Sequence, residues 1–409
     1  MDGSRGRSKE ARLQPGDLGR GTNQTGVRLY NERLVLSLIR RHGSLPKADL
    51  ARLTGLSAQT ASVIVNQLVA DNLLKREEPQ RGKVGQPSVP YSLNPDGVYA
   101  YGLKVGRRSA DLVLLDFVGR VRQRLHLTYH YPQPRALVDF AVTGVRSLEA
   151  GLGVAQLARV AGFGLATPFE MWSWEPEVGC PPGALDIWRH TDLAAEIGEA
   201  IGRPVHPCND ATAACAAELV FGTREPLADF LYLFIGSFVG GGLVLNSTLV
   251  QGRTGNAAAL GSLPVPGRSG QILQLIRTAS LCTLEARLIA EDRPVDWLWD
   301  DPECWDAAGP ELDEWIATAA EGLAFAATAA SAVIELQAVV IDGAVPGTVR
   351  ARLVAAVAAS MGRFDRQGLS PIEVLAGTIG SAAREIGAAS LPLLASLAFD
   401  RDVMFKESI

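Results

Sequence analysis

Residues 204–222 read PVHPCNDATAACAAELVFG. The pattern is a short strand over Pro204 to Cys208, then the polar pair Asn209-Asp210, then an Ala-rich helix from about Ala211. A carboxylate and an amide where a strand ends and a helix begins stand at the crevice in which open α/β sheets bind ligands. The same two side chains also suit a simple helix cap. The rest of the chain decides between these readings.

At 409 residues the chain exceeds one ordinary core, and two or three domains are expected. Apolar residues make up 47% and charged residues 20%, which fits a folded rather than a disordered chain. Cys180, Cys208, Cys215, Cys282 and Cys304 form no CxxC pair, so neither a disulfide framework nor a Cys-rich zinc site is expected. Reduced cysteines imply a cytoplasmic setting. The first twenty residues lack the apolar stretch of a signal peptide. Phe230 to Leu245 is too short and too Gly-rich for a membrane helix, so no membrane partner is expected.

Charge divides the chain. Residues 1–95 carry 15 Lys and Arg against 8 Asp and Glu, a net of +7, while the whole chain is at −5, which leaves −12 for the remainder. A basic module on an acidic body points to a polyanion partner for the module alone.

Residues 1–25 read as a disordered basic tail, poor in apolar anchors. From Val27 to Arg41 apolar residues recur at helical spacing, and a second short helix is expected over Lys47 to Leu53. Gly55 then suits a tight turn, and Ser57 caps a third helix running to about Asp71. In it Val63, Ile64, Leu68 and Val69 are expected to face inward, leaving Gln59, Thr60, Ser62 and Asn66 outside. This is a helix-turn-helix layout whose outward amides and hydroxyls can read base edges. Extended pieces at Leu74 to Glu77 and Val89 to Leu93 flank a turn with Arg81, Lys83 and Gln86, the expected basic wing. A small helical module for protein contacts is the other reading. The charge and the wing favour DNA, with Ser57, Gln59, Thr60, Ser62, Asn66, Arg81, Lys83 and Gln86 as its contacts.

Asn94-Pro95-Asp96-Gly97 breaks the pattern and ends this domain, placed at 26–95. Three strands follow (Tyr99 to Val105, Ser109 to Asp116, Val121 to Tyr129), then a helix, a strand ending at Ala166-Thr167-Pro168, a further helix and the opening stretch. The sequence partly repeats after Glu218: strands flank GSFVGGG, long helices are expected at 270–291 and 310–337, a buried strand over Val339 to Asp342, and a last helix over Ala382 to Leu394. Two α/β lobes with a cleft between them are expected, at 96–215 and 216–379, the first completed by the terminal helix at about 380–400.

Several segments in order resemble the ROK family of repressors and sugar kinases: NERLVLSLIRRHG, LARLTGLSAQTAS, GFGLATP, CNDATAACAAELVFG, FIGSFVGGGLVLNSTLVQGRTGNAAALGSLPV and VVIDGAV. The resemblance is to its winged-helix regulators. It implies an α/β chain with an N-terminal winged helix-turn-helix and a two-lobed, actin- and hexokinase-like (ribonuclease H-like) domain.

The kinases of that family carry Asp-x-Gly-Gly-Thr on the first hairpin, where this chain has Lys104-Val105-Gly106-Arg107-Arg108. An ammonium cannot handle a metal as the carboxylate does, and Arg107 removes a glycine that admits phosphate. The resemblance aligns Asp210 with the catalytic base and Asn209 with its sugar-contacting neighbour. The family's sugar-site Glu and His are Ala259 and Ser262 here, and its zinc cysteines are reduced to Cys282. It therefore implies no enzyme activity, no structural zinc and no cofactor, with a sugar or sugar derivative held near Thr167, Asn209, Asp210, Asn256 and Glu285. The expected function is regulation, most simply repression, of a carbohydrate operon by a homodimer or homotetramer on operator DNA. A sugar kinase carrying a DNA-binding head, or a regulator answering to a protein instead of a sugar, are the alternatives.

Overall fold

A computed structural model describes residues 24–79, 88–223, 227–267, 269–300 and 305–397. They fall into two compact units divided between Leu93 and Asn94.

The first unit has helices α1 (Gln24–His42), α2 (Lys47–Thr54) and α3 (Ala58–Ala70), with strands β1 (Ser44–Pro46), β2 (Leu74–Arg76) and β3 (Pro90–Leu93). Gly55, left-handed at φ 71°, ends α2, and the Ser57 hydroxyl accepts from the Thr60 amide to start α3. Helix α3 buries Ala61, Ile64, Val65 and Leu68, the i, i+3, i+4, i+7 stripe, against Val35, Ile39 and Leu50. Val63 was expected inside but lies one step off that stripe and is 62% exposed. The three strands form an antiparallel sheet ordered β1-β3-β2. Its member β1 is three residues long, too short for a period-2 signal. The tail expected at 1–25 lies almost wholly outside the described residues, as do Arg81, Lys83 and Gln86 of the wing.

The second unit holds two five-stranded sheets of the same plan. The first runs β6 (Val121–Thr128), β5 (Ser109–Asp116), β4 (Tyr99–Val105), β7 (Val160–Thr167), β8 (Val205–Asn209). The second runs β11 (Thr248–Val250), β10 (Val239–Leu245), β9 (Phe230–Ile235), β14 (Ala338–Gly343), β15 (Glu373–Ala376). In each, three antiparallel strands continue into two parallel ones. Helices α4 (Pro134–Glu149) and α7 (Leu193–Ile201) join the core of the first sheet through Leu137, Ala141, Val145 and Ile197. The short helices α5 (Val154–Leu157) and α6 (Glu175–Val178) lie in its connections. Helices α12 (Pro310–Ser331) and α13 (Gly347–Met361) fill the core of the second.

Two helices occupy the space between the sheets. Helix α8 (Asp210–Phe221) packs Ala211, Ala214 and Cys215 on Phe230, Tyr232 and Phe234. Helix α14 (Ala383–Leu397) lies on the first sheet, where a Cβ on Gly164 would stand 1.7 Å from the Ala388 carbonyl oxygen. The two helices touch at Gly387, whose Cβ would come 1.7 Å from the Ala213 carbonyl. Small residues at these crossings let backbones approach where any larger side chain would force them apart.

One expected helix does not form as a single piece. Residues 270–291 instead give strand β13 (Ile272–Gln274), paired with β12 (Pro264–Pro266), then α9 (Ile276–Ala279) and α10 (Leu281–Ala290). The break is at Ser280, extended at ψ 149°, whose buried hydroxyl accepts from the Val239 amide at 2.9 Å. The helix expected over 310–337 stops at Ser331. A four-residue helix, α11 (Trp297–Asp300), precedes it.

Candidate functional site

The exposed side of α3 presents Gln59, Thr60, Val63 and Asn66, with Ser62 half-buried at its edge. Ser57 and Thr60 are tied together, their hydroxyls 2.8 Å apart, so the cap also fixes Thr60. Sequence reading missed the residue that organises the rest. Lys47, at the start of α2, donates to Ser62 Oγ at 3.1 Å and to Asn66 Oδ1 at 2.7 Å, and sits over the Tyr91 ring. With its carbonyl held by Lys47, Asn66 keeps its NH2 group for an outside acceptor. In the sequence Lys47 only opens the second helix; the fold brings it across to α3.

In the second unit, Thr167 and Asn209 are neighbours in register at the carboxyl ends of β7 and β8. Asn209 caps α8, its Oδ1 accepting from the amides of Ala211 at 3.0 Å and Thr212 at 3.2 Å. Asp210 Oδ1 accepts from the Ala211 amide as well, and its Oδ2 faces Arg384 Nη1 of α14 at 3.2 Å. The Arg384 guanidinium also lies over the Phe234 ring, 4.9 Å from the centroid. The cap reading of the opening stretch holds for Asn209, which stands at the carboxyl end of β8.

Glu285 stands apart on α10 and is buried. Its Oε2 accepts from Arg107 Nη2 at 2.8 Å and its Oε1 from Trp299 Nε1 at 3.4 Å. Arg107 reaches it from the β4–β5 turn and lies over the Trp299 ring, 5.4 Å from the centroid. Trp174 and Phe238 form an edge-on aromatic pair, their ring centroids 5.1 Å apart. Asn256 is half-buried in the loop after β11. Among the described residues no hydrogen bond joins Glu285 or Asn256 to Asp210.

The β4–β5 turn is braced by the chain's own groups. Gly106 N donates to the Ser109 carbonyl at 2.8 Å, and the Tyr129 hydroxyl donates to the carbonyls of Gly106 and Ser109. Lys104 is buried and paired with Asp111 at 2.7 Å, which also meets His126 Nδ1 at 2.7 Å. Burial pulls the Lys104 ammonium below its ordinary pKa, while Asp111 acts the other way. Burial would raise the Asp111 carboxyl, but Lys104 and the bond to His126 hold it below the aspartate range. Two further buried carboxylates hold backbone amides. Asp116 holds the amides of Val118 and Arg120, and Asp342 holds those of Gly343 and Gly380 together with Tyr232 and Arg350. Burial pushes the Cys208 thiol up to about 12, away from nucleophilic or ligating chemistry. Among the described residues no group of three His, Cys, Asp or Glu converges on a metal position, and no helix is long and apolar enough to cross a membrane.

Comparison with known proteins matches residues 100–283 to the ROK family and residues 30–83 to the MarR family. An uncharacterized protein of Sinorhizobium fredii is 26% identical over 88% of this chain and 90% of its own length. The xylose repressor of Bacillus spizizenii is 25% identical over 59% of this chain, and the match spans 62% of the repressor. A solved ROK family transcriptional regulator, a homolog of the Escherichia coli MLC protein, shares the fold with a TM-score of 0.63 at 19% identity, over 93% of this chain and all of its own. ROK sugar kinases are also among the solved structures with this fold. The chain joins a MarR-type winged helix to a ROK family domain.

Proposed function

We propose that the chain is a cytoplasmic, DNA-binding transcriptional regulator, a repressor of a carbohydrate uptake or catabolism operon, and that a sugar or sugar derivative bound in its ROK domain changes its hold on the operator. The observation that carries this is the pairing of two features in one chain. A basic winged helix presents Gln59, Thr60 and Asn66 outward, and a domain that shares its fold with sugar kinases carries Lys104 and Arg107, each in a buried ion pair, on the hairpin where the family resemblance would put a phosphate loop. The first feature binds nucleic acid; the second leaves a sugar cleft without its phosphoryl-transfer apparatus.

The effector is held by Thr167, Asn209, Asp210, Asn256 and Glu285. Asp210 and Glu285 already answer to Arg384 and Arg107, so a polyol must compete with or bridge these pairs. Ligand binding is thereby coupled to contacts between elements of the domain, which is what a sensor needs and a catalyst does not. The active species is a homodimer or homotetramer, because two-fold operators mirror two-fold proteins.

DNA binding by variants tests the reading surface. Gln59→Ala weakens operator binding by about tenfold and relaxes preference at one base position, the equivalent of one lost base contact. Lys83→Ala weakens binding to all sequences alike and lowers the salt slope by about one. Operator titrations by fluorescence anisotropy at several salt concentrations read both. Wild-type behaviour in both variants contradicts the assignment. Steady ATP consumption with a hexose, abolished by Asp210→Asn, would establish the kinase reading instead.

A further inference from the structure

Val63 is the feature of the DNA-reading face that packing does not explain. A β-branched apolar residue is a poor choice for the outside of a helix. Yet it is 62% exposed, midway along α3, on the same side as Gln59 four residues before and Asn66 three residues after. The buried stripe of α3 is complete without it, through Ala61, Ile64, Val65 and Leu68. The side chains around it are polar and held in place: Thr60 by the Ser57 cap, and Ser62 and Asn66 by Lys47. The module carrying this face is the basic part of an otherwise acidic chain, so a polyanion is the complementary occupant.

We infer that Val63 is a specificity-determining residue that packs on the 5-methyl group of a thymine in the major groove. The thymine methyl is the one apolar feature that any base edge offers there, and small apolar side chains are its partners. Gln59 and Asn66 supply hydrogen bonds on either side, and Val63 adds discrimination between thymine and cytosine that amides alone do not give. The inference rests on the DNA-binding reading.

The test uses the full chain and an operator obtained by selection from random DNA. Each thymine within the protected site is replaced in turn by deoxyuridine, which deletes only the methyl group. Wild-type protein is expected to lose about fourfold in affinity at one position per half-site, the value of one buried methyl. Val63→Ala is expected to bind the unmodified operator correspondingly more weakly and to be indifferent to deoxyuridine at that same position, with an unchanged melting temperature because the site is exposed. If wild type is indifferent to deoxyuridine everywhere, or if Val63→Ala keeps the full deoxyuridine penalty, the inference is wrong while DNA binding stands. If selection enriches no sequence, both fall. Self-association that Val63→Ala abolishes, without any methyl dependence, would mark the face as a contact between copies of this chain instead.

Discussion

Arg107 stands in the β4–β5 turn, and its guanidinium ends against Glu285 and the Trp299 ring. Both members of the pair are over nine-tenths buried, so neither can be removed alone without stranding a charge. Arg107→Ala is expected to lower stability by about 3 kcal/mol, and Glu285→Gln in the same chain to recover a substantial part. Urea unfolding midpoints of the two single variants and the double variant check this. Strict additivity of the two losses would show that the pair is not coupled. The sequence carries the expectation that residues 104–108 are no phosphate loop, because that reading needs only residue identities. It could not show where Arg107 goes, since its partner is 178 positions away along the chain. Glu285 was expected near an effector, but its pairing with Arg107 could not be read from the sequence.

Elements whose pattern is local were read well, and those fixed by distant contacts were not. Helices α2 and α3 follow from Gly55, Ser57 and an apolar stripe, all within a few residues. The placement of Val63 was missed because an apolar residue beside a buried one was assigned to the same face, although one residue is a turn of about 100°. The expected helix over 270–291 was divided by Ser280, which accepts from the amide of Val239, the first residue of β10. Ser280→Ala keeps the shape of the site but strands the buried Val239 N–H. A loss of about 2 kcal/mol is expected, read from the thermal or urea midpoint, with secondary structure unchanged by circular dichroism. An unchanged midpoint would mean that the hydroxyl does not define the break. The Ala-rich run of α8 was also legible as a helix, but its purpose was not. Its small residues serve the crossing with α14 at Gly387 and the contact with the second sheet.

The molecule as a whole is divided in charge, with a net basic N-terminal unit and a net acidic remainder. The basic unit presents a rigid face of amides, a hydroxyl and one valine. The larger unit repeats one sheet plan twice and sets α8 and α14 between the copies, with Asp210 and Arg384 facing one another across them. Asn209, at the end of β8, caps the helix that Asp210 opens, and in the proposal this same pair meets the polyol. The most direct test of sugar-responsive repression is selection of genomic DNA fragments by the full-length chain, with a panel of sugars then used to elute the bound pool. The account predicts enrichment of a discrete motif beside carbohydrate transport or catabolic genes, and release of those fragments by one sugar class. No enriched motif, or enrichment that no sugar alters together with sugar-dependent ATP consumption, would contradict it.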